Sequence, residues 1–176
     1  MHKILIIYST TDGQTKLICE RIKSLSKFNN QTKIISIDEV IKENLSSYET
    51  IIIGASIRYG KHNPVVFNFV KENLKILNNK KSVFFSVNVI ARKIEKNLPE
   101  TNPYIIKFLK LTNWNPDKKA VFAGKIDYPK YSFFDRQIIR LIMFITKGPT
   151  DTSKSYEFTE WSKVDDFARE IDDISA

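Results

Sequence analysis

Short apolar runs alternate with amphipathic stretches along the sequence, and this alternation limits the possible folds more than any other feature. Five runs rich in Ile, Val and Phe are apolar on both faces, which is typical of strands covered by helices on both sides. They are KILIIY (3–8), KIISI (33–37), TIIIGAS (50–56), SVFFSVN (82–88) and AVFAG (120–124). The pattern predicts an α/β fold with a doubly wound, five-stranded parallel sheet and right-handed crossovers.

Three of the intervening segments carry apolar side chains at helical spacing. The predicted buried faces are Leu17, Ile18, Ile22 and Leu25; Val66, Val70, Leu74 and Leu77; and Trp161, Val164, Phe167, Ala168 and Ile171. Thr159 precedes the last of these helices, and a hydroxyl at that place predicts an N-cap.

The segment between the fifth strand and the last helix is too long for a simple connection. It contains YPKYSFFDRQIIRLIMFITKG (128–148), in which apolar and basic residues recur at helical spacing. The apolar positions are Ile138, Leu141, Ile142 and Ile145, and the basic ones are Arg136, Arg140 and Lys147. We predict an inserted amphipathic helix within an insert at about 125–152, before the last helix of a single domain spanning residues 1–176.

Charge and composition narrow the class of partner. The net charge of +8 and the pI of about 9.4 favour anionic partners such as acidic lipid headgroups, polycarboxylates or nucleic acid. The basic residues form no single arm or recognition helix, so we expect no nucleic-acid partner.

The single cysteine and the two histidines also exclude classes of site. Cys19 has no partner for an intramolecular disulfide, and with the distant His2 and His62 it predicts no metal site. No apolar run reaches the roughly 20 residues that span a bilayer, and the N-terminus has no signal-peptide pattern. We therefore expect a soluble or peripheral protein of a reducing cytosol.

The stretch IIYSTTDGQT (6–15) predicts an anion site where the first strand leads into a helix. A helix that begins near Gln14 or Thr15 directs its free backbone N–H groups and its dipole toward this turn. The turn has neither the G-x-x-x-x-G-K-[ST] of a triphosphate loop nor the glycine triad of a dinucleotide fold. We predict that it binds the phosphate of a mononucleotide; the alternative is that it only caps the helix. The predicted binding residues are Thr10, Thr11, Asp12, Gly13, Gln14 and Thr15.

Two further segments follow strands three and four and are predicted to be long loops. They read SIRYGKHNP (56–64) and NVIARKIEKNLPETNP (88–103). In open parallel sheets, ligands bind beyond the carboxyl ends of the strands, where the strand order reverses. We expect both loops to meet the 10–15 turn there.

Several of these blocks resemble a known family. IIYSTTDGQTKLICERI resembles the flavodoxin signature, with Cys19 at a position where alanine is usual. The blocks IGASIRYGKH (53–62), SVNVIARKIEK (86–96), YPKYSFFDRQIIRLIM (128–143) and TDT (150–152) resemble the menaquinone-dependent protoporphyrinogen IX dehydrogenases of bacterial haem synthesis. The resemblance covers the whole chain and includes the insert.

The resemblance implies a flavodoxin-like fold, non-covalently bound FMN, and oxidation of protoporphyrinogen IX to protoporphyrin IX. The electrons would pass to menaquinone or ubiquinone, which implies a peripheral position on the cytoplasmic side of the inner membrane. The insert, with its mixture of apolar and basic residues, would contact the anionic membrane surface. The alternative is that Ile138, Leu141, Ile142 and Ile145 pack on the core of the domain.

The resemblance also implies cofactor-binding residues beyond the phosphate loop. These are Ser56, Arg58, Tyr59, Gly60, Ser86, Asn88, Val89, Ile90, Ala91, Arg92, Lys93, Thr150 and Asp151. Tyr59 would lie against the flavin ring, unless it is only a half-buried loop aromatic, and Thr150 with Asp151 would close the site. Arg58, Arg92 or Lys93 would bind the substrate propionates, unless they are solvated surface. No His, Asp or Glu forms a constellation that predicts a catalytic acid or base.

Three other functions remain open at the level of sequence. The first is a flavodoxin-type electron carrier, but such carriers are acidic and lack the insert, so the net charge of +8 argues against it. The second is an NAD(P)H:quinone reductase, and the third is a basic adaptor without FMN. Reduction of the flavin by nicotinamide, or a colourless protein, would distinguish these two.

Overall fold

The computed structural model describes residues 2–176, which form a central sheet flanked by helices. The strands are β1 (Ile4–Ser9), β2 (Thr32–Ser36), β3 (Thr50–Arg58), β4 (Lys61–His62), β5 (Lys81–Val87), β6 (Lys118–Phe122), β7 (Lys125–Asp127) and β8 (Ser155–Glu157). The helices are α1 (Gln14–Leu25), α2 (Pro64–Glu72), α3 (Leu74–Asn78), α4 (Pro103–Thr112), α5 (Phe133–Ile145) and α6 (Trp161–Ser175). Five parallel strands in the order β2-β1-β3-β5-β6 confirm the predicted doubly wound sheet.

Each face of the sheet carries its own apolar layer because side chains alternate along a strand. In β3, Ile51 and Ile53 belong to the layer beneath α2, α3 and α4, whereas Ile52 belongs to the layer beneath α1 and α6. All three side chains are at most 1% exposed. Burial on both faces explains why these strands are continuous apolar runs in the sequence.

The predicted buried faces of the helices are correct in part. In α1, Ile18 and Ile22 are buried together with Cys19, but Leu17 and Leu25 are 50% and 42% exposed. The helix packs against α6. The predicted second helix is divided, because α2 ends at Glu72 and Leu74 begins α3, where it is only partly buried.

The predicted N-cap of the last helix is wrong. Glu160 occupies that position without a side-chain capping bond. The Thr159 hydroxyl instead donates to the Ala123 carbonyl at 2.8 Å. Thr159 therefore joins the end of the insert to the edge of the main sheet.

The insert forms a second small sheet and the predicted helix. β7 and β8 pair antiparallel, and the chain between them contains α5, which begins with Ser132 accepting a bond from the Asp135 N–H. The predicted apolar positions Ile138, Leu141, Ile142 and Ile145 are 39–69% exposed, so they do not form the buried face of the helix. Ile139 and Met143 are buried in their place. Among residues 2–176, no helix has both the length and the apolar character that crossing a bilayer requires.

The two predicted long loops are more ordered than the sequence suggested. β3 continues to Arg58, and Tyr59 and Gly60 turn the chain back into β4. Tyr59 has φ 49° and Gly60 has φ 80°, the left-handed pair that closes a two-residue hairpin. Residues 88–103 contain two short 3-10 turns, Val89–Arg92 and Ile94–Lys96.

Candidate functional site

A cleft opens at the carboxyl edge of the sheet, where β1 lies between β2 and β3 and the strand order reverses. Its volume is about 790 Å³, including the open space at its mouth. The position is the one at which open parallel sheets bind ligands. The lining residues come from the β1–α1 turn, the β3–β4 hairpin, the segment after β5, α4 and the insert.

The β1–α1 turn presents the N-terminus of α1 to this cleft. Gly13 immediately precedes the helix with φ 88°, a left-handed conformation that glycine adopts without steric cost. Its N–H donates to the Thr10 hydroxyl at 3.0 Å, which fixes the turn. No acidic residue occupies the first turn of α1, so nothing there opposes an anion.

The Thr15 hydroxyl is the most direct indication that this turn binds a ligand. The side chain is 0% exposed, and its oxygen has no hydrogen-bond partner within the described chain. An unsatisfied buried hydroxyl costs on the order of 1–3 kcal/mol. A Cβ on Gly13 would meet no atom within 4 Å, so the backbone here is open to a ligand. An orphaned hydroxyl, an open backbone and a helix N-terminus together fit a phosphate.

Asp12 is the one acidic residue of the turn, and the structure pairs its carboxylate. Arg58 Nη1 lies 3.1 Å from Asp12 Oδ2, and the Tyr131 hydroxyl donates to the same oxygen at 3.1 Å. Burial raises the pKa of Tyr131 to about 12, so its hydroxyl keeps the proton that it donates. The pairing offsets a charge that would otherwise repel a phosphate in the turn.

Gln14 joins the same turn to the far side of the insert. Its side-chain amide donates to Glu157 Oε1 at 3.1 Å and to the Thr159 hydroxyl at 2.9 Å. The start of α1 is therefore held against the end of β8.

The β3–β4 hairpin supplies a second wall of the cleft. Ser56, Arg58, Tyr59 and Gly60 all line it. Tyr59 is 45% exposed, and its hydroxyl hydrogen-bonds to Asp135 of α5. The Arg58 guanidinium lies 5.1 Å and 4.9 Å from the ring centres of Tyr59 and Tyr131. The hairpin is thereby attached to the insert.

Behind the segment that follows β5 lies a buried polar network. His62 Nε2 lies 2.9 Å from the Ser86 hydroxyl, and Asn88 donates to that hydroxyl at 3.2 Å. Asn102 donates to Asn88 Oδ1 at 3.1 Å. Burial lowers the pKa of His62 to about 4, so the imidazole is neutral at pH 7. The network fixes the backbone at Asn88, from which Val89 and Ile90 extend into the cleft lining.

Twelve of the nineteen residues that the sequence assigns to the site line the cleft. They are Thr10, Thr11, Asp12, Gln14, Thr15, Ser56, Arg58, Tyr59, Gly60, Asn88, Val89 and Ile90. Gly13 shapes the turn without contributing to the lining, and Ser86 is buried in the network behind it.

The structure does not bring the other five to the cleft. Ala91 packs in the core, and Lys93 ends the 3-10 turn. The Arg92 guanidinium donates to the carbonyls of Val89 and Thr146 at 3.0 and 2.7 Å, so it ties the insert to the main fold. Thr150 lies in a surface depression beside α5, and the Asp151 carboxylate accepts from Ser153 N at 3.0 Å.

Most lining residues that the sequence failed to identify belong to the insert and α4. They are Ile57, Val87, Tyr104, Gly124, Lys125, Ile126, Tyr131, Ile139, Ile142 and Met143. The regular apolar spacing of α5 was visible in the sequence, but spacing does not show which face meets the cleft. Tyr104 follows a helix-starting Asn-Pro pair, which says nothing about a site.

The comparisons with known proteins agree with this architecture. The family described as "Flavodoxin domain" matches residues 5–153. A solved flavodoxin from the domain Archaea superposes with a TM-score of 0.53 at 15% identity and covers 98% of each chain, which shows the shared fold.

Curated relatives are much more similar in sequence. The protoporphyrinogen IX dehydrogenase [quinone] of Escherichia coli K12 is 43% identical over 170 residues, covering 96% of this chain and 94% of its own. The protein of the same name from Leishmania major is 42% identical over 173 residues, covering 96% of this chain and 74% of its own. The chain belongs to the flavodoxin domain family and, within it, to the protoporphyrinogen IX dehydrogenase (quinone) family.

Proposed function

We propose that the protein is an FMN-dependent oxidoreductase that converts protoporphyrinogen IX to protoporphyrin IX and passes the electrons to a quinone. The observation that carries the proposal is the 43% identity with the Escherichia coli enzyme over nearly the whole of both chains. The cleft supports it independently, because its anion turn and apolar walls occur where a flavodoxin fold binds a mononucleotide.

The residues of the cleft fit FMN. The Thr15 hydroxyl and the N-terminus of α1 would hold the phosphate, with Thr10 and Thr11 beside them. The apolar residues Val89, Ile139 and Met143 would cover the ring system and exclude water from it. Tyr59, which lines the cleft and is 45% exposed, is an aromatic residue that would lie against the ring.

The bound flavin supplies the two-electron chemistry, so the six-electron oxidation of one porphyrinogen takes three turnovers. The overall balance is one protoporphyrinogen IX and three quinones giving one protoporphyrin IX and three quinols. The chain's own residues position and shield the reactants. The Asp12–Arg58–Asp135 ion pairs, at 3.1 and 3.5 Å, hold the turn, the hairpin and α5 together around the cleft. The neutral His62 adds no charge to the network behind Asn88.

We also propose that α5 contacts an anionic membrane surface at the cytoplasmic side of the membrane, where the quinone is available. The helix exposes large apolar side chains that a solvated surface does not require. Those at least 59% exposed are Phe133, Phe134, Leu141, Phe144 and Ile145. Arg140 and Lys147 accompany them and form no ion pair in the part of the chain that the structure describes. Apolar side chains next to cations characterise helices that lie in a lipid interface.

The visible spectrum of the purified protein, followed by anaerobic addition of protoporphyrinogen IX, tests the function. We expect a yellow protein whose flavin absorbance bleaches on addition of the porphyrinogen. Added quinone should then restore the absorbance, and with excess quinone three quinols should form per porphyrin. A protein that bleaches with NAD(P)H but not with porphyrinogen would be a nicotinamide-dependent reductase instead.

A further inference from the structure

A second pocket adjoins the cleft on the side away from α5. Its volume is about 700 Å³ including the open space at its mouth. Its lining comes from the β3–β4 hairpin, α2 and α4, and comprises Ile57, Gly60, Lys61, His62, Pro64, Phe67, Tyr104, Lys107, Phe108 and Leu111. Ile57, Gly60 and Tyr104 line both spaces, so the pocket borders the cleft along these residues.

Four of the ten residues that line this pocket are aromatic, namely His62, Phe67, Tyr104 and Phe108. Phe108 packs edge-on against the His62 ring with centroids 4.9 Å apart, and Phe67 packs edge-on against Phe108 at 6.3 Å. Leu111 lies at the margin and is 52% exposed. Such a surface suits an apolar, ring-shaped ligand.

Two lysines give the pocket its charge. Lys61 on β4 and Lys107 on α4 are exposed, and neither takes part in an ion pair within residues 2–176. The arginines that the sequence offered for carboxylate binding are engaged elsewhere. Arg58 pairs with Asp12, and Arg92 donates to Thr146. The lysines of the pocket are therefore two cations beside the β3–β4 hairpin and α4 that form no ion pair within residues 2–176.

We propose that this pocket receives the propionate-bearing edge of the tetrapyrrole, with Lys61 and Lys107 binding its two carboxylates. This inference rests on the proposed function. The two propionates lie on the same side of the macrocycle, so two cations in one pocket match them. Phe67, Phe108 and Leu111 would contact the apolar part of that edge. The rest of the macrocycle would extend past Tyr104 into the cleft.

Charge complementarity selects the porphyrinogen over the quinone as the occupant. A quinone carries no charge and gains nothing from two ammonium groups, whereas a dicarboxylate forms charge-assisted hydrogen bonds with them. α5 forms another wall of the cleft through Ile139, Ile142 and Met143, and none of its residues lines the pocket, so the two substrates would approach from different sides.

The test compares Lys61→Gln, Lys107→Gln and the double variant with a control double variant, Lys75→Gln with Lys110→Gln. The control changes the net charge equally at exposed lysines outside the pocket. We expect KM for protoporphyrinogen IX to rise roughly five- to tenfold in each single variant and more in the double variant. The FMN content and KM for quinone should not change. Fluorescence titration with protoporphyrin IX should show the same loss of affinity without turnover.

The dimethyl ester of the porphyrinogen makes the assignment specific to the carboxylates. The unmodified protein should prefer the diacid to the ester, and the double variant should lose that preference. Leu111→Glu, at the exposed margin, should raise KM for the diacid more than for the ester.

The outcomes separate this inference from the proposed function. If the unmodified protein does not oxidise protoporphyrinogen IX, the proposed function is wrong. If it does, and the double variant keeps the normal KM and the normal preference for the diacid, only the pocket assignment is overturned.

Discussion

At the scale of single residues, the buried Thr15 hydroxyl is the feature of the turn that points most directly to a ligand. Its hydroxyl is buried at the first turn of α1 and has no partner in the described chain. Most buried hydroxyls are hydrogen-bonded, so the exception calls for a physical explanation. A bound phosphate provides one, because it would accept the hydrogen bond that the protein does not.

Thr15→Val should separate ligand binding from stability. The substitution removes a hydroxyl that has no partner in the absence of ligand. The free energy of unfolding without FMN should therefore stay the same or rise, while FMN affinity should fall by about tenfold or more, since hydrogen bonds to charged groups contribute about 1.5–3 kcal/mol. Urea denaturation and flavin fluorescence measure the two quantities.

Thr112→Val is the matched control, because that hydroxyl is also buried on a helix but donates to the Phe108 carbonyl at 2.9 Å. It should lower stability and leave FMN affinity unchanged. If Thr15→Val bound FMN as tightly as the unmodified protein, the assignment of the turn to the phosphate would be wrong.

His62 predicts a dependence of stability on pH. Burial lowers its pKa from 6.5 to about 4, so protonation favours the unfolded chain. The contribution of the neutral imidazole to the free energy of unfolding is complete above pH 6.5 and is lost as the pH falls toward 4. Linkage gives a loss of about 2 kcal/mol between pH 7 and pH 5. His62→Gln keeps a hydrogen-bond donor for Ser86. Over the same pH interval, the free energy of unfolding of this variant should fall by about 2 kcal/mol less than that of the unmodified protein.

Urea denaturation of both proteins at the two pH values gives this difference. The carboxylates are common to both proteins, so their contribution cancels in the comparison. Parallel stability curves for the two proteins would show that His62 is not held neutral by the fold.

At the scale of secondary-structure elements, α5 is apolar on two faces for different reasons. Ile139 and Met143 are buried against the cleft and the small apolar cluster beneath the insert. Phe134, Leu141 and Phe144 are 59–77% exposed. One face is thus explained by the fold, whereas the other face is available for a partner outside it.

Replacing Phe134, Leu141 and Phe144 with serine should abolish docking on a membrane. The three side chains are exposed, so the fold and the FMN content should not change, whereas burial of each in lipid contributes roughly 1.5–3 kcal/mol. Sedimentation with vesicles containing phosphatidylglycerol should show at least a tenfold loss of binding.

The corresponding control replaces Ile41, Ile94 and Leu98, which are 53–90% exposed elsewhere on the surface, with serine. Vesicle binding should survive in this control. Equal losses in both triple variants, or no binding by the unmodified protein, would contradict docking through α5.

The elements also show where sequence patterns stop being informative. The β3–β4 hairpin was not predicted because its turn residues are Tyr59 and Gly60, and tyrosine rarely adopts a positive φ. The contact between Tyr59 and Asp135 of α5 is not encoded in the local sequence. The conformation of a residue such as Tyr59 therefore depends on contacts with distant segments of the chain.

At the scale of the whole molecule, the cleft combines segments that are far apart in the chain. Asp12 is joined to Arg58 at 3.1 Å, and Arg58 to Asp135 at 3.5 Å. Gln14 reaches Glu157 at the far end of the insert. A ligand bound among these segments stabilises all of them at once.

FMN should therefore raise the thermal stability of the whole protein. At a free concentration of about 100 times Kd, the ligand adds about 2.7 kcal/mol, which for a chain of this size corresponds to roughly 5–10 °C in Tm. Differential scanning fluorimetry of the FMN-depleted protein with and without added FMN measures the shift. Riboflavin, which lacks the phosphate, should produce a smaller one, and equal shifts would argue against the anion turn.

The sequence by itself determined the layered sheet, the small polar turn before α1 and the presence of the inserted helix. Each of these depends on a local pattern: apolar strands such as Ile51–Ile53, small polar residues before α1, and helical spacing in 138–145. Hydrophobic burial and backbone geometry act on neighbouring residues, so they leave a trace in the order of residues.

Only the tertiary structure decided which side chains meet at the cleft. In the structure, Arg92 contacts the insert, and Thr150 and Asp151 lie outside the cleft. Tyr104 and Met143 line the cleft instead. The same holds for the exposed face of α5 and for the lysines beside the cleft. Contacts between distant segments depend on how the elements pack in three dimensions, and a single sequence carries no local record of that packing.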